Sequence, residues 1–415
     1  MRSDPLKVVQ KYGGSSVATP EKMAVVAGRV AKRAKDAQVI VVISAMGDTT
    51  DDLIAIAKKV NPRPDPREMD KLMASGEQIS SALLTMALHN LGCDAVSFTG
   101  AQAGIITENI ATKARIKKID TKRLRQELNK GRVVVVAGFQ GITDNNIWAD
   151  ITTLGRGGSD TTAVAIAAAL NTPEDPCVCE IFTDVEGVYT CDPRIEPNAK
   201  KLDTISYEEM LEMATQGAKV MHNRAVELGW VYNVEILVAH SQKECPGTVI
   251  KKEDKNMELR NPVKGIAHDT DVAKITLVAV PDRPGIASRL FKALTDGKIS
   301  VDVIVQNMSA RGKTDISFSV AEDDSDKAME IIESIKADIG AEDVILTKDV
   351  AKISIVGSGM ESQPGYAASM FAALAEKDIN ILAITTSEIR ITCLIKEDRI
   401  MDAVRVLHKT FELDA

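Results

Sequence analysis

Aromatic residues are scarce in this 415-residue chain: two Trp, five Tyr and seven Phe, or 3%. A surface that stacks nucleic-acid bases would have almost nothing to be built from. An excess of positive charge is missing too. The 51 Lys and Arg against 59 Asp and Glu leave a formal net charge of −8, which argues against nucleic acid or an anionic membrane as the main partner. An anionic ligand then needs a locally arranged positive site. The six cysteines, at positions 93, 177, 179, 191, 245 and 393, include no C-x-x-C pair and no accompanying His spacing. They read as reduced thiols rather than a zinc site, and no metal-ligating set is expected. Long apolar runs are absent as well: Val39–Met46, Val133–Ala137 and Ala163–Leu170 are far too short to span a bilayer. Asp4 and Pro5 stand where a signal peptide needs an apolar stretch. The expectation is a soluble, cytoplasmic protein.

What is present is ordinary globular material, 45% apolar and 27% charged, and at roughly 150 residues per domain its length suits two or three domains. Up to about residue 255, short β-branched runs alternate with amphipathic segments. Leu6–Gln10, Val39–Ser44 and Arg132–Ala137 read as buried strands. Thr121–Lys130 reads as a helix with Leu124 and Leu128 on one face and Gly131 as its stop. Ser206 and Glu209 form a capping box ahead of Met210 and Leu211. The proline-rich Asn61–Pro66 reads as a loop before a helix. Strands alternating with helices predict a mainly parallel sheet covered on both faces.

The polar run KKEDKNMELRNP at 251–262 reads as a linker, and an internal repeat follows it. Residues 273–307 and 351–387 share the order strand, Pro-Gly loop, helix, strand, and from Gly285 and Gly365 onward they align without a gap at an offset of 80 residues. Each copy continues into a further strand (Asp315–Val320, Ile389–Ile395) and helix (Lys327–Ala337, Ile400–Phe411), with Val344–Thr347 closing the first copy. A duplicated βαββαβ module is expected.

Four segments of the first half carry candidate chemistry. Lys11-Tyr12-Gly13-Gly14-Ser15-Ser16 follows a strand; paired glycines can bring backbone N–H groups to an anion beside a lysine charge, or simply make a tight turn. It is neither a Walker A loop nor a Gly-rich kinase loop. Ile151–Thr162 sets Arg156 among glycines ahead of an apolar helix, with Ser159 and Asp160 at the cap positions, an arrangement suited to a carboxylate or phosphate. Ser44–Thr50, with Gly76-Glu77 later, puts hydroxyls where open parallel sheets bind ligands, although Ser and Thr there also serve as plain caps. Thr183–Arg194 supplies polar groups suited to a nucleotide base and ribose, or a set of turns.

In this order KYGGSS, SAMGDTT, SGE, TTLGRGGSDTTA, FTDVEGVYTCDPR and MATQGAKVMH resemble the motifs of the aspartokinases of the amino-acid-kinase superfamily, and the repeat resembles their tandem ACT domains. The resemblance spans essentially the whole chain. It implies a three-layer αβα sandwich over 1–255, a linker at 256–264 and two ferredoxin-like ACT domains at 265–342 and 343–415, with no room for the homoserine dehydrogenase domain of bifunctional relatives. It implies ATP- and Mg²⁺-dependent phosphorylation of the side-chain carboxylate of L-aspartate, at the entry to lysine, threonine and methionine synthesis.

On the family's pattern, Lys11 stabilises the transferring phosphoryl group, Gly13 and Gly14 offer backbone donors, and Asp160 orients Lys11. Arg156 clamps the α-carboxylate of the substrate and Glu77 its ammonium, with Ser44, Thr50, Gly157, Gly158 and Ser159 completing the pocket. Tyr12, Thr183, Asp184, Val188, Tyr189, Thr190, Asp192, Pro193 and Arg194 line the nucleotide, and Lys219 holds its phosphates. An effector, lysine and/or threonine, is expected at Asp282, Pro284, Gly285, Ile286 and Ala287 with Gln306 and Asn307. A second effector lobe is expected at Gln363, Pro364, Gly365 and Tyr366 with Asn380, Ile381, Thr386, Ser387 and Glu388. A homo-oligomer assembled through the ACT domains is implied, and Met257 stands where some relatives start a separate regulatory subunit of an α₂β₂ assembly. Rival readings are a kinase for glutamate, acetylglutamate, carbamate or UMP, and a non-catalytic amino-acid sensor. The tandem repeat and GRGGSDTTA weigh against the first, and intact Lys11, Glu77, Arg156 and Asp160 against the second.

Overall fold

A computed structural model of the chain describes residues 5–144, 148–218, 220–253, 262–307, 312–360 and 364–414. The chain divides into two compact units. The first comprises Met1–Val188, Lys201–Ala214 and Lys219–Asn256; the second comprises Tyr189–Lys200, Thr215–Ala218 and Met257–Ala415.

The β-branched runs of the first unit pair as a central sheet. Lys7–Tyr12 lies between Gln38–Ile43 and Cys177–Thr183, parallel to both, and Gln38–Ile43 is followed outward by Val133–Ala137 and Ala95–Phe98, also parallel. Beyond Cys177–Thr183 lie Ile236–His240, Thr248–Lys251 and Thr204–Ser206, with the Thr248–Lys251 strand antiparallel to Ile236–His240. Both faces of this sheet are apolar, so helices cover both. Pro20–Arg33 and the C-terminal half of Pro66–Asn90 bury Met23, Val26, Val30, Leu84 and Leu88 against Val8, Val39, Val41 and Val135. Gly158–Leu170 is apolar nearly all round and almost wholly buried, as a helix inside a layered core must be. The capping box forms as read: Ser206 N–H donates to Glu209 Oε2 at 3.2 Å, and Glu209 N–H to Ser206 Oγ at 3.1 Å. Asp65 caps the helix after the proline-rich loop by accepting from the Arg67 and Glu68 amides.

A second, smaller sheet in this unit was not expected. Its order is Ile116–Ile119, Ile105–Thr107, Gln140–Thr143, Ile151–Thr153. Its strands have three or four residues, too few for a period of two to show. It matters because Ile151–Thr153 delivers the chain to Gly155 and Arg156.

In the second unit each repeat copy folds on its own four-stranded sheet. The first sheet runs Ile304–Gln306, Lys313–Val320, Ala273–Pro281, Asp343–Thr347 under the helices Ile286–Asp296 and Ser325–Ile339, around Leu277, Leu290, Phe318 and Ile332. The second runs Gly265–Asp269, Val350–Val356, Arg390–Lys396, Ala383–Ser387 under Tyr366–Glu376 and Ile400–Thr410, around Ile353, Met370, Cys393 and Leu407. Asp343–Thr347 closes the first module, as expected of Val344–Thr347, and so belongs with it rather than with 343–415; the second module takes its fourth strand from Gly265–Asp269, upstream of the first. A repeat read along the chain shows the order of strands; only hydrogen-bond pairing shows which edge each one covers. Lys352, almost fully buried, bridges the modules by pairing with Asp302 at 2.7 Å and Asp269 at 3.4 Å.

Candidate active site

Parallel strands place all their C-terminal ends on one edge of the sheet, and ligands bind in open sheets there. Lys11 and Tyr12 end the central strand; Ser44–Gly47 follow the next one; Gly138 and Phe139 follow Val133–Ala137; the N-terminus of Gly158–Leu170 opens at the same edge. Between them lies a cavity of about 300 Å³ walled by Lys11, Gly13, Gly14, Ser44, Thr50, Glu77, Arg156, Gly157, Gly158, Ser159 and Asp160. Every residue expected to bind the substrate or act in catalysis therefore faces one space. Ala45, Gly47, Phe139 and Gly155 complete the walls.

Lys11 Nζ lies 2.7 Å from Asp160 Oδ1, and both side chains are only 12% and 13% accessible. The contact is one of charge, since that oxygen receives no well-aligned donor. The amine sits above the glycine turn, 3.3 Å from where a Cβ on Gly13 would stand. Glu77 reaches the cavity because the helix Pro66–Asn90 approaches the 44–47 loop closely at Gly76, where an added Cβ would stand 2.9 Å from Ala45 Cβ. Glu77 Oε1 accepts from Ala45 N–H at 3.3 Å, while buried Oε2 has no hydrogen-bond partner among the described residues. Burial pushes this carboxyl up to about 7, against the pull of the Ala45 amide. An unsatisfied carboxylate oxygen aimed into a cavity is a receptor for a cation.

Arg156 is exposed at the tip of its loop and makes no side-chain hydrogen bond or ion pair with the described residues. Its fork is free for a carboxylate. Gly157 beside it has φ +66°, and an added Cβ would meet the His222 ring at 2.1 Å. His222 caps the helix Asn223–Tyr232, its Nδ1 accepting from Arg224 N–H; burial holds it below the usual histidine range, opposed by the Asp160 charge.

Phe139 is the wall residue that sequence reasoning missed. It is a bulky residue at φ +66°, held by its N–H donating to Thr162 Oγ1 at 3.1 Å and its carbonyl accepting from Leu154 N–H at 2.9 Å. Strained backbone of this kind collects at functional sites. The available signal was its place just after a strand of the parallel sheet.

The residues expected around the nucleotide are divided between the two units. Thr183 ends its strand with Oγ1 donating to exposed Asp184, at the same sheet edge as the cavity. Three of these residues have buried side chains. The Tyr12 side chain is fully buried, stacked on Phe182 and donating to Gln10. Val188 is buried, with its N–H on Thr248 Oγ1. Thr190 is buried in the second unit, its Oγ1 3.1 Å from His408 Nε2. Tyr189, Asp192, Pro193 and Arg194 belong to the second unit, where Asp192 pairs with Arg194 at 2.6 Å. Lys219 and Met257 lie outside the described residues.

Of the expected effector positions, Asp282, Pro284, Gly285, Gln306 and Asn307 are exposed on the first module, as are Pro364, Gly365, Asn380, Thr386, Ser387 and Glu388 on the second. Ala287 is half-buried. Ile286 is instead a core residue, and Tyr366 and Ile381 pack against the second core. Ile304–Gln306 and Ala383–Ser387 are the edge strands of their sheets and run close to one another. Gln363 lies outside the described residues.

The amino acid kinase family model matches residues 7–240, and the ACT domain model matches 275–334 and 353–411. The chain is 49% identical to an aspartokinase of Mycolicibacterium smegmatis over 98% of this chain and 96% of the relative. It is 48% identical to an aspartokinase of Pseudomonas aeruginosa over 98% of each. Among solved structures, aspartokinase III of E. coli in complex with aspartate and ADP aligns over 97% of this chain and 99% of its own, with TM-score 0.82 at 24% identity. The aspartate kinase of Synechocystis aligns over 98% of this chain and 69% of its own, with TM-score 0.54 at 40% identity.

Proposed function

The chain belongs to the aspartokinases of the amino acid kinase family, and from that premise we propose that the Lys11–Glu77–Arg156–Asp160 cavity is where L-aspartate takes the γ-phosphoryl group of ATP. The activity is ATP-dependent phosphorylation of the aspartate side-chain carboxylate, giving 4-phospho-L-aspartate. The observation that carries the site assignment is the meeting, in one cavity, of a free arginine fork, a buried carboxylate lacking a partner and a lysine over a glycine turn.

A carboxylate with an ordinary pKa near 4 is already ionised at neutral pH, so no general base is needed and catalysis reduces to positioning and charge. Arg156 holds the α-carboxylate and Glu77 the ammonium; two opposite charges at fixed places select an L-amino acid and leave its side chain facing Lys11. Ser44, Thr50 and Ser159 offer hydroxyls to the side-chain carboxylate. The Lys11 ammonium, the Gly13–Gly14 amides and the Ser159 and Asp160 amides in the first turn of Gly158–Leu170 face the group in flight, where negative charge accumulates. Asp160 pairs with Lys11 and aims it. Thr183 and Asp184, with Tyr189, Asp192, Pro193, Arg194 and Lys219, are assigned to the nucleotide. No group of three His, Cys, Asp or Glu residues suited to a metal occurs among the described residues, so the donor set does not build a cage. Mg²⁺ is assigned to the triphosphate as part of the substrate.

The paired ACT modules are assigned to feedback by lysine, threonine or both at the Pro-Gly turns and edge strands, in an assembly of copies joined through these modules. Gln306→Ala and Thr386→Ala are expected to raise the effector concentration for half-inhibition about tenfold, as the loss of a ligand hydrogen bond does; unaltered inhibition curves for both would remove these positions from the effector sites. No helix among the described residues is long and apolar enough to cross a membrane, and we assign the protein to the cytoplasm. A panel of L-aspartate, L-glutamate, N-acetyl-L-glutamate, carbamate and UMP, each with ATP, tests the substrate. Turnover confined to L-aspartate is expected, and preference for another member of the panel would overturn the reading.

A further inference from the structure

Arg156 has no side-chain partner among the described residues, and the loop carrying it turns through left-handed glycines at Gly155 and Gly157. Something upstream must aim it. The chain enters that loop from Thr153 and Leu154. Thr153 O accepts from Ala114 N–H at 3.0 Å, and Thr112 O lies 3.2 Å from where a Cβ on Gly155 would stand. The 112–114 segment therefore runs beside the entry to the Arg156 loop and supports it.

Both segments are gripped from two sides. On one side is Asp70, a carboxylate with 0% exposure on the helix that also carries Glu77. Its Oδ1 accepts from Thr153 Oγ1 at 2.5 Å, and Thr112 N–H donates to both oxygens at 3.0 Å. Thr112 itself is at φ +65°, a conformation that such a charged acceptor can hold in place. On the other side Arg224 donates to Leu154 O at 2.5 Å and to Ala114 O at 3.1 Å. A buried carboxylate with every donor supplied by these two segments serves neither the core nor a visible ion pair.

We propose that Asp70 is a positioning residue for substrate binding: through Thr153 and Thr112 it fixes the entry to the Gly155–Gly158 loop and so aims Arg156 at the α-carboxylate of the substrate. The inference rests on the assignment of Arg156 as the carboxylate clamp.

The test is a double-mutant cycle read in steady-state kinetics, with the thermal melt of each variant as a check on folding. Asp70→Asn keeps the shape but replaces the oxygen that shares the Thr112 N–H with an NH2 group, setting donor against donor. It is expected to raise KM for L-aspartate about tenfold, with kcat and KM for ATP changed less than about twofold, because a misaimed clamp weakens ground-state binding of one substrate. Thr153→Val, which removes only the hydroxyl and leaves the charge satisfied by Thr112, gives a smaller change with the same split, and it carries the test if Asp70→Asn melts early. In an Arg156→Ala background, Asp70→Asn is expected to add less than about twofold, since neither change is independent of the other. Full additivity, or an equal loss of kcat and of ATP affinity, would show a general structural role and overturn the proposal. The two levels separate cleanly. If Arg156→Ala alone leaves KM for L-aspartate unchanged, the clamp assignment fails and the positioning role with it. If Arg156→Ala raises KM but Asp70→Asn and Thr153→Val do not, only the positioning role fails.

Discussion

Lys11→Ala lowers kcat for phosphoryl transfer by about a thousandfold or more, the loss that follows when a charge facing the transferring group is removed from a dry site. The geometry sets this expectation: the ammonium is nearly buried, held by Asp160 and placed above the Gly13–Gly14 turn. KM for L-aspartate changes little, because Arg156 and Glu77 do the holding. The same substitution strands the Asp160 carboxylate, whose side chain is 13% accessible. Breaking a buried pair from one side costs about 3 kcal/mol, a melting point lowered by roughly 5–10 °C in a domain of this size. Lys11→Met combined with Asp160→Asn removes both charges, so it recovers the melting point and stays inactive. Measuring kcat and the melt of these variants separates the two roles. A Lys11→Ala protein that still turns over at wild-type rate would refute the assignment to phosphoryl transfer.

Glu77→Gln raises KM for L-aspartate at pH 8 by about a hundredfold, as expected when a buried carboxylate facing a substrate ammonium is neutralised. The free protein responds in the opposite direction. Burial lifts the Glu77 carboxyl to about 7 in the fold from 4.5 in the unfolded chain. The protonated form is therefore favoured by folding, and its contribution is complete below 4.5 and is lost as pH rises through 7. By linkage that loss is about 3 kcal/mol at pH 8. Glu77→Gln has no proton to give up, so its melting point falls less than that of the wild type between pH 5 and 8. Substrate ammonium stabilises the ionised form, so in the wild type KM for L-aspartate rises about tenfold for each pH unit below 7. Parallel melting curves for the two proteins across this range, together with a KM independent of pH in the wild type, would show that Glu77 neither titrates there nor meets the ammonium.

Much of this site was legible in the residues because its chemistry is local. Glycine turns after strands and a glycine-led helix start put Lys11, Ser44 and Arg156 at one sheet edge from topology alone, and the cavity gathers them with Glu77; Ser159 and Asp160, read as caps, lie inside the helix, whose N-cap is Gly157. What escaped depends on distance in the chain. Phe139 carries no motif, and only its backbone angle and place mark it. Asp70 looks like any charged residue in the first turns of a helix; its role comes from Thr112 and Thr153, about forty and eighty residues away. Tyr12 sits inside a ligand motif, yet its ring fills the core against Phe182. Strand alternation explains this: the residue after Lys11 points to the opposite face of the sheet. The upstream strand of the second repeat module escaped for a related reason. Sequence similarity reveals two copies, but the uncovered edge that draws Gly265–Asp269 to Val350–Val356 exists only once the sheets are built.

The most direct test of the central claim incubates the full chain with Mg·ATP and L-aspartate in hydroxylamine, which converts an acyl phosphate to its hydroxamate, beside the Lys11→Ala and Arg156→Ala proteins. The account predicts aspartate β-hydroxamate formed in proportion to ADP by the wild type, almost none from Lys11→Ala, and wild-type-like formation from Arg156→Ala only at much higher L-aspartate. ADP released without hydroxamate, or hydroxamate formed equally by all three proteins, would contradict it.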